Sequence, residues 1–187
     1  MKTYTRSEPN FSLCGLNCCL CPRYHTSGPS RCPGCGGPDF LLLHPSCAVV
    51  NCNDRHDKVE YCFQCGEYPC EKYRAPAAAD SFISYRNVGA DMKAAAGDLG
   101  GYLRGLREKL GILERLLREF NDGKSKGFYC RAVNLLSLSE LKNCMESAES
   151  DNEPQNPDIR QRAIHMRKAL ETRAEKLGIT LGLRNKT

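Results

Sequence analysis

Eleven of the chain's thirteen cysteines lie between Cys14 and Cys70, and no other feature narrows the possible folds as much. Two of the pairs read Cys32-Pro33-Gly34-Cys35-Gly36 and Cys62-Phe63-Gln64-Cys65-Gly66. A Cys-x2-Cys turn aims two thiolates at one point, and the glycine after it lets the backbone curl behind the sulfurs. Tetrahedral metal ions are wrapped in this way. The same stretch is poor in large apolar residues, its only dense patches being Phe40-Leu41-Leu42-Leu43 and Ala48-Val49-Val50. A segment of that size with so little to bury needs disulfides or metal to hold a shape.

Compartment chooses between the two. Met1-Lys2-Thr3-Tyr4-Thr5-Arg6 leads into no apolar run, so no secretory signal is expected. No apolar stretch is long enough to span a bilayer. A cytoplasmic location follows as the expectation. It keeps thiols reduced and favours metal over a disulfide framework, which an odd cysteine total also fits poorly.

Ten cysteines are candidate ligands: Cys14, Cys18, Cys21, Cys32, Cys35, Cys47, Cys52, Cys62, Cys65 and Cys70. Zinc takes four, and four pairs (Cys18/Cys21, Cys32/Cys35, Cys47/Cys52 and Cys62/Cys65) make up about two sites. Sequential pairing joins the first pair to the second and the third to the fourth. It is expected over a crossed arrangement because shorter loops cost less to close. Cys14 and Cys70 then stand in reserve as replacements. His25, His44 and His56 are weaker candidates, and Cys19 beside Cys18 reads as a spare. Cys130 and Cys144 lie on apolar helix faces and read as small core residues.

The same ligands suit iron, so an iron–sulfur electron carrier is the main alternative. Cys14-x3-Cys18-x2-Cys21 also has the three-cysteine spacing of clusters that serve S-adenosylmethionine, but the βαβ alternation of such enzymes is missing. Cys14, Cys19 or Cys70 could act as a nucleophile if unligated and beside a cation. Nothing resembles a paired acid and base, a phosphate-cradling loop or a nucleophile elbow. The residues therefore favour a non-enzymatic module.

Composition changes at Ala75-Pro76-Ala77-Ala78-Ala79, which divides the chain into residues 1–75, metal-binding, and 76–187, helical. The expected fold is a small metal-stabilised domain of turns and short strands, zinc-knuckle-like, followed by an all-α hairpin or small bundle. Asp80-Ser81 can cap a helix through Phe82, Ile83 and Tyr85. Leu99, Leu103, Leu106, Leu110, Leu113, Leu117 and Phe120 form one apolar seam on a helix ending near Asn121-Asp122-Gly123. A short buried helix is expected over 128–136, another after the capping box Ser137–Glu140, and a last one from Asn156-Pro157 to Gly178. Its apolar positions are Ile159, Ala163, Met166, Leu170 and Leu177. This half could bind a protein partner or a second copy of the chain.

Residues 1–75 hold eight Lys/Arg against seven Asp/Glu, and 76–187 hold nineteen against fifteen. A four-thiolate zinc site has a net charge of about −2, so metal would turn the first half negative. The basic excess is mild, spread over helix faces, and argues against the third possibility, a nucleic-acid-binding zinc module.

Cys14-Gly15-Leu16-Asn17-Cys18, Cys21-Pro22, Cys32-Pro33-Gly34-Cys35, Cys47 with Cys52, and Cys62-Phe63-Gln64-Cys65-Gly66-Glu67-Tyr68-Pro69-Cys70 together resemble an uncharacterised prokaryotic cysteine-rich family, domain of unknown function 3795, over residues 11–75. Residues 122–130 resemble a helical extension in its longer members. Cys19 departs from the pattern. The resemblance implies a cytoplasmic, zinc-type protein and supplies no activity. Read together, the expectation is a zinc-binding protein with structural metal, acting as a binding or scaffolding module. Chelation should unfold residues 14–70 and largely spare the helices.

Overall fold

A computed structural model of the chain describes residues 4–44, 46–56, 58–74, 78–150 and 158–185. The segment before residue 75 is built from turns and three short helices, α1 (Phe40–Leu43), α2 (Ala48–Asn53) and α3 (Glu71–Arg74). Two single 3-10 turns, Cys18–Leu20 and Cys62–Gln64, lie among them. The expected short strands are not there. Among the described residues there is no sheet, only an isolated antiparallel bridge between Phe11 and Asn17. Glycine, proline and the cysteine turns break the chain every few residues, leaving no run long enough to ladder.

Five helices follow: α4 (Val88–Gly97), α5 (Leu99–Glu119), α6 (Lys126–Leu135), α7 (Leu138–Ser150) and α8 (Ile159–Lys176). The expected all-helical half is present. Asp98 caps α5 by accepting the Gly101 amide at 2.8 Å. The leucine seam buries Leu106, Leu113 and Leu116, with Leu99, Leu103, Leu110 and Leu117 packed at its margins. Leu116 joins because a straight helix drifts away from a strict seven-residue repeat. The most enclosed helix is α6, whose Phe128, Tyr129, Cys130, Ala132, Val133, Asn134 and Leu135 are all buried. Helices α5 and α8 pack on it.

Three expectations change in detail. Residues 80–85 are not helical, because Asp80 is committed elsewhere. Its carboxylate takes the Tyr85 amide at 2.9 Å and both the amide and the guanidinium of Arg184 at 2.8 Å. In α8, Ala163, Met166, Leu170 and Ala174 are buried while Leu177 is exposed, so the face runs to Ala174. Glu140 does not close its capping box. Ser137 accepts the Glu140 amide, but the Glu140 side chain pairs with Arg173 on α8. The boundary at Ala75-Pro76-Ala77 and the Asn156-Pro157 start lie outside the described residues, and Asp158 caps α8.

The core is continuous. Phe11, Cys19, Leu20 and Tyr61 from the cysteine segment join Met92, Leu106, Leu113, Phe128 and Leu136 in one buried cluster. A second, smaller cluster of Leu13, Cys35, Phe40 and Val50 sits wholly in the cysteine segment, with Cys18, Cys47 and Cys62 packed against it.

Candidate metal centre

The two 3-10 turns present their cysteines identically. The Cys21 amide donates to the Cys18 carbonyl at 3.1 Å and the Tyr24 amide to the Cys21 carbonyl at 2.9 Å. The Cys65 amide donates to the Cys62 carbonyl at 3.1 Å and the Tyr68 amide to the Cys65 carbonyl at 3.0 Å. Cys21 and Cys65 leave their turns in the same extended conformation, φ −77° and ψ 138° against φ −73° and ψ 135°. The chain thus repeats a Cys-x2-Cys-x2-Tyr unit, and the second copy is tied to the stretch ahead of the first by the Cys62 amide on the Leu13 carbonyl at 2.9 Å.

All thirteen cysteines are free thiols. Cys14 lies within electrostatic reach of Cys35 and Cys47, and Cys18 within reach of Cys35, Cys14 and Cys21. Cys62 lies within reach of Cys70, Cys52 and Cys65. Cys21 has Cys32 as its neighbour. Through Cys18, which also feels Cys21, the Cys18/Cys21 and Cys32/Cys35 pairs are in electrostatic reach of one another.

Backbone amides point at several of these sulfurs: Leu16 at Cys14, Cys35 at Cys18, Leu13 at Cys35, and Arg23 and Tyr24 at Cys21. Such donors favour thiolate over thiol. Burial works the other way and dominates. It pushes the Cys14 thiol up to about 12 and Cys62 to about 11, and it raises Cys18 and Cys35. With no cation these thiols stay protonated at neutral pH.

Among the described residues, no three or more His, Cys, Asp or Glu side chains stand together as a group that could hold a metal ion. The donor type, soft sulfur with backbone amides turned toward it, is one that suits a thiophilic ion. An orphaned polar atom fits too. The buried Tyr73 hydroxyl has no hydrogen-bond partner of ordinary geometry, and the sulfur of Cys62 lies beside it. A thiolate there would accept that proton far better than a neutral thiol does.

The remaining candidates are placed elsewhere. His25 sits with Nε2 2.7 Å from the Cys19 carbonyl, burial lowers its basicity, and its ring packs edge-on to Tyr24. His44 stacks on Phe40 at 4.6 Å. Cys19 is fully buried in the core shared with the helices, and Cys130 and Cys144 are buried in the helical half.

Arg6 carries no signal in the sequence, yet it ties the segment together. Its guanidinium donates to the carbonyls of Phe11 at 2.7 Å and Glu60 at 2.7 Å and lies 4.9 Å from the Tyr61 ring centre. It also pairs with the Glu60 carboxylate at 3.3 Å, and its side chain is 2% exposed.

The architecture is therefore a cysteine-turn segment with a doubled Cys-x2-Cys-x2-Tyr unit, seated on an all-helical body. Residues 10–75 match the model of the family described as "Protein of unknown function (DUF3795)". The match takes in none of residues 122–130, and the helical half lies beyond it. No curated protein and no solved structure matches the chain.

Proposed function

We propose that the protein binds zinc through the cysteine segment, that the metal is structural, and that the helical half offers a binding surface to a protein partner or a second copy. What supports this reading is the density of cysteines about one small core: Cys35 is buried with Leu13 and Phe40, Cys18, Cys47 and Cys62 pack against that cluster, and Cys14 lies within electrostatic reach of Cys35 and Cys47. Desolvation and mutual repulsion both oppose ionising the Cys14, Cys18 and Cys35 thiols. A thiophilic dication removes both costs by displacing the protons. Cys14, Cys18, Cys35 and Cys47 would hold one ion and Cys52, Cys62, Cys65 and Cys70 the other. Cys21 and Cys32 remain as a separate pair. Bound zinc would supply a closed-shell charge that locks loop positions, with no redox step.

Anaerobic titration of the reduced protein with cobalt(II), followed by displacement with zinc, tests the reading. The expected result is the visible absorption of thiolate-bound tetrahedral cobalt, saturating near about two equivalents and bleached by zinc. Serine at Cys35 should remove about half of it, and serine at Cys144 none. A protein isolated brown with iron, or one that develops no cobalt–thiolate absorption, overturns the reading.

A further inference from the structure

We infer that the groove between α7 and α8 docks the acidic α7–α8 connection of a second copy of the chain, in a reciprocal two-fold pair. This rests on the reading above that the helical half offers a binding surface, and it names the partner. The groove has a volume of about 410 Å³, and none of the described residues that line it is acidic. Lys168, Arg173 and Lys176 stand along its α8 side. Arg173 is paired with Glu140 of α7, but Lys168 and Lys176 meet no acid among the described residues. Buried Cys144 lies against the Ala169 carbonyl, so small residues close the bottom and a partner chain can come near. Two other grooves of the helical half are balanced in charge. Between α5 and α7, Glu108 and Glu146 offset Arg115 and Lys142; beside α6, Glu171 and Glu175 offset Arg131 and Arg167.

The complementary charge is carried by the same hairpin. Residues 146–158 hold Glu146, Glu149, Asp151, Glu153 and Asp158 and no Lys or Arg. A chain cannot lay this stretch along its own groove. Glu153 is five residues from Asp158, the cap of α8, and an extended chain of that length reaches at most about 18 Å. Lys176 lies eighteen residues beyond the cap, about 27 Å along the helix axis. Only another copy can bring the acids to that end. Glu140 meets Arg173 while Cys144 lies against Ala169, so α7 and α8 run antiparallel, with the acidic connection at one end and Lys176 at the other. Two hairpins laid side by side in opposite directions put each acidic end on the other's Lys176 end. The same contact is then made twice, as a two-fold axis requires. Ile164, 62% exposed and one turn before Lys168, gives that contact an apolar anchor.

Sedimentation of the full chain, purified anaerobically and kept reduced, tests this over a concentration series at low and high salt. Wild type should dimerise, with a dissociation constant that rises at least about tenfold at high salt. Lys168→Glu with Lys176→Glu should weaken the dimer by at least about tenfold, and so should Glu149→Lys with Asp151→Lys and Glu153→Lys. Circular dichroism should show wild-type helix content in both variants. An equimolar mixture of the two should dimerise again, because each acidic surface then faces a basic one. Wild type that stays monomeric at every concentration, whether or not it takes up poly-glutamate or duplex DNA, overturns the inference and leaves the zinc and protein-partner readings standing. A dimer that neither charge set weakens, or a mixture that does not restore it, overturns the groove as the seat of the contact and leaves self-association standing.

Discussion

Two glycines that follow cysteine look equivalent on paper and are not. Gly36 has φ +77°, and a Cβ would meet the Arg6 backbone nitrogen at 2.9 Å; Gly66 has an ordinary φ and open space around it. The reading that glycine lets the backbone curl behind the sulfurs holds at the first turn only. Gly34 is tighter still, with φ +86° and the Pro9 carbonyl oxygen 2.5 Å from where a Cβ would stand. Gly34→Ala should cost about 2 kcal/mol or more, combining left-handed strain with a backbone clash. Gly66→Ala should lie within about 0.5 kcal/mol of wild type. Denaturant melts of the two variants check this. Arg6 invites a similar test. Lysine cannot reproduce a fork that reaches Phe11 and Glu60 carbonyls at once, so Arg6→Lys should destabilise by about 2–4 kcal/mol. A change within error would show that the fork is dispensable. No local pattern marks Arg6, because its partners Phe11, Cys35 and Glu60 are brought to it only by the fold.

At the level of elements, α5 was readable because one leucine face repeats over 21 residues, and its cap Asp98 stands where the periodicity begins. Leu113→Ala, at a fully buried position, should cost about 2–5 kcal/mol in a thermal or denaturant melt, and Leu177→Ala at the exposed end of α8 should cost almost nothing. The short elements were not readable. The Phe40–Leu43 run read only as a dense apolar patch, and it is a single helical turn that buries Phe40 and exposes Leu42. Four residues show no period. Helix α4 was missed for a related reason: Val88–Gly97 has scant amphipathic contrast, and its buried Met92 lies against Gly15 of the cysteine segment as well as in the shared core. Spacing marked the Cys-x2-Cys turns, but which distant cysteines come into reach of one another, as Cys14 does of Cys47, depends on how the loops meet.

The molecule as a whole is less divisible than its composition suggests. The change in residue usage near residue 75 is real, yet Phe11, Cys19, Leu20 and Tyr61 are buried in the same cluster as the helices. The C-terminal segment is strapped back by Arg184 on Asp80 and by Arg86 on the carbonyls of Thr180 and Gly182. Burial alone would raise the Asp80 carboxyl. The hydrogen bonds from Arg184 and the Tyr85 amide outweigh it and hold the group well below the usual carboxylate range. The folded state therefore binds this proton less readily than the unfolded chain. The strap's contribution is full above about pH 4, where the unfolded carboxyl is ionised, and is lost as pH falls toward the depressed folded value. Wild type should thus exceed Asp80→Asn in stability at pH 7, and the gap should narrow below about pH 4. A gap that stays constant down to pH 2 would contradict the assignment.

What holds the cysteine segment in place is best decided by elemental analysis of anaerobically purified, folded protein, with thiols counted in the same sample. About two zinc atoms per chain, with roughly eight cysteines protected from alkylation until chelator is added, is the expected result. A folded chain that carries neither zinc nor iron, its clustered thiols all open to alkylation, would contradict the account.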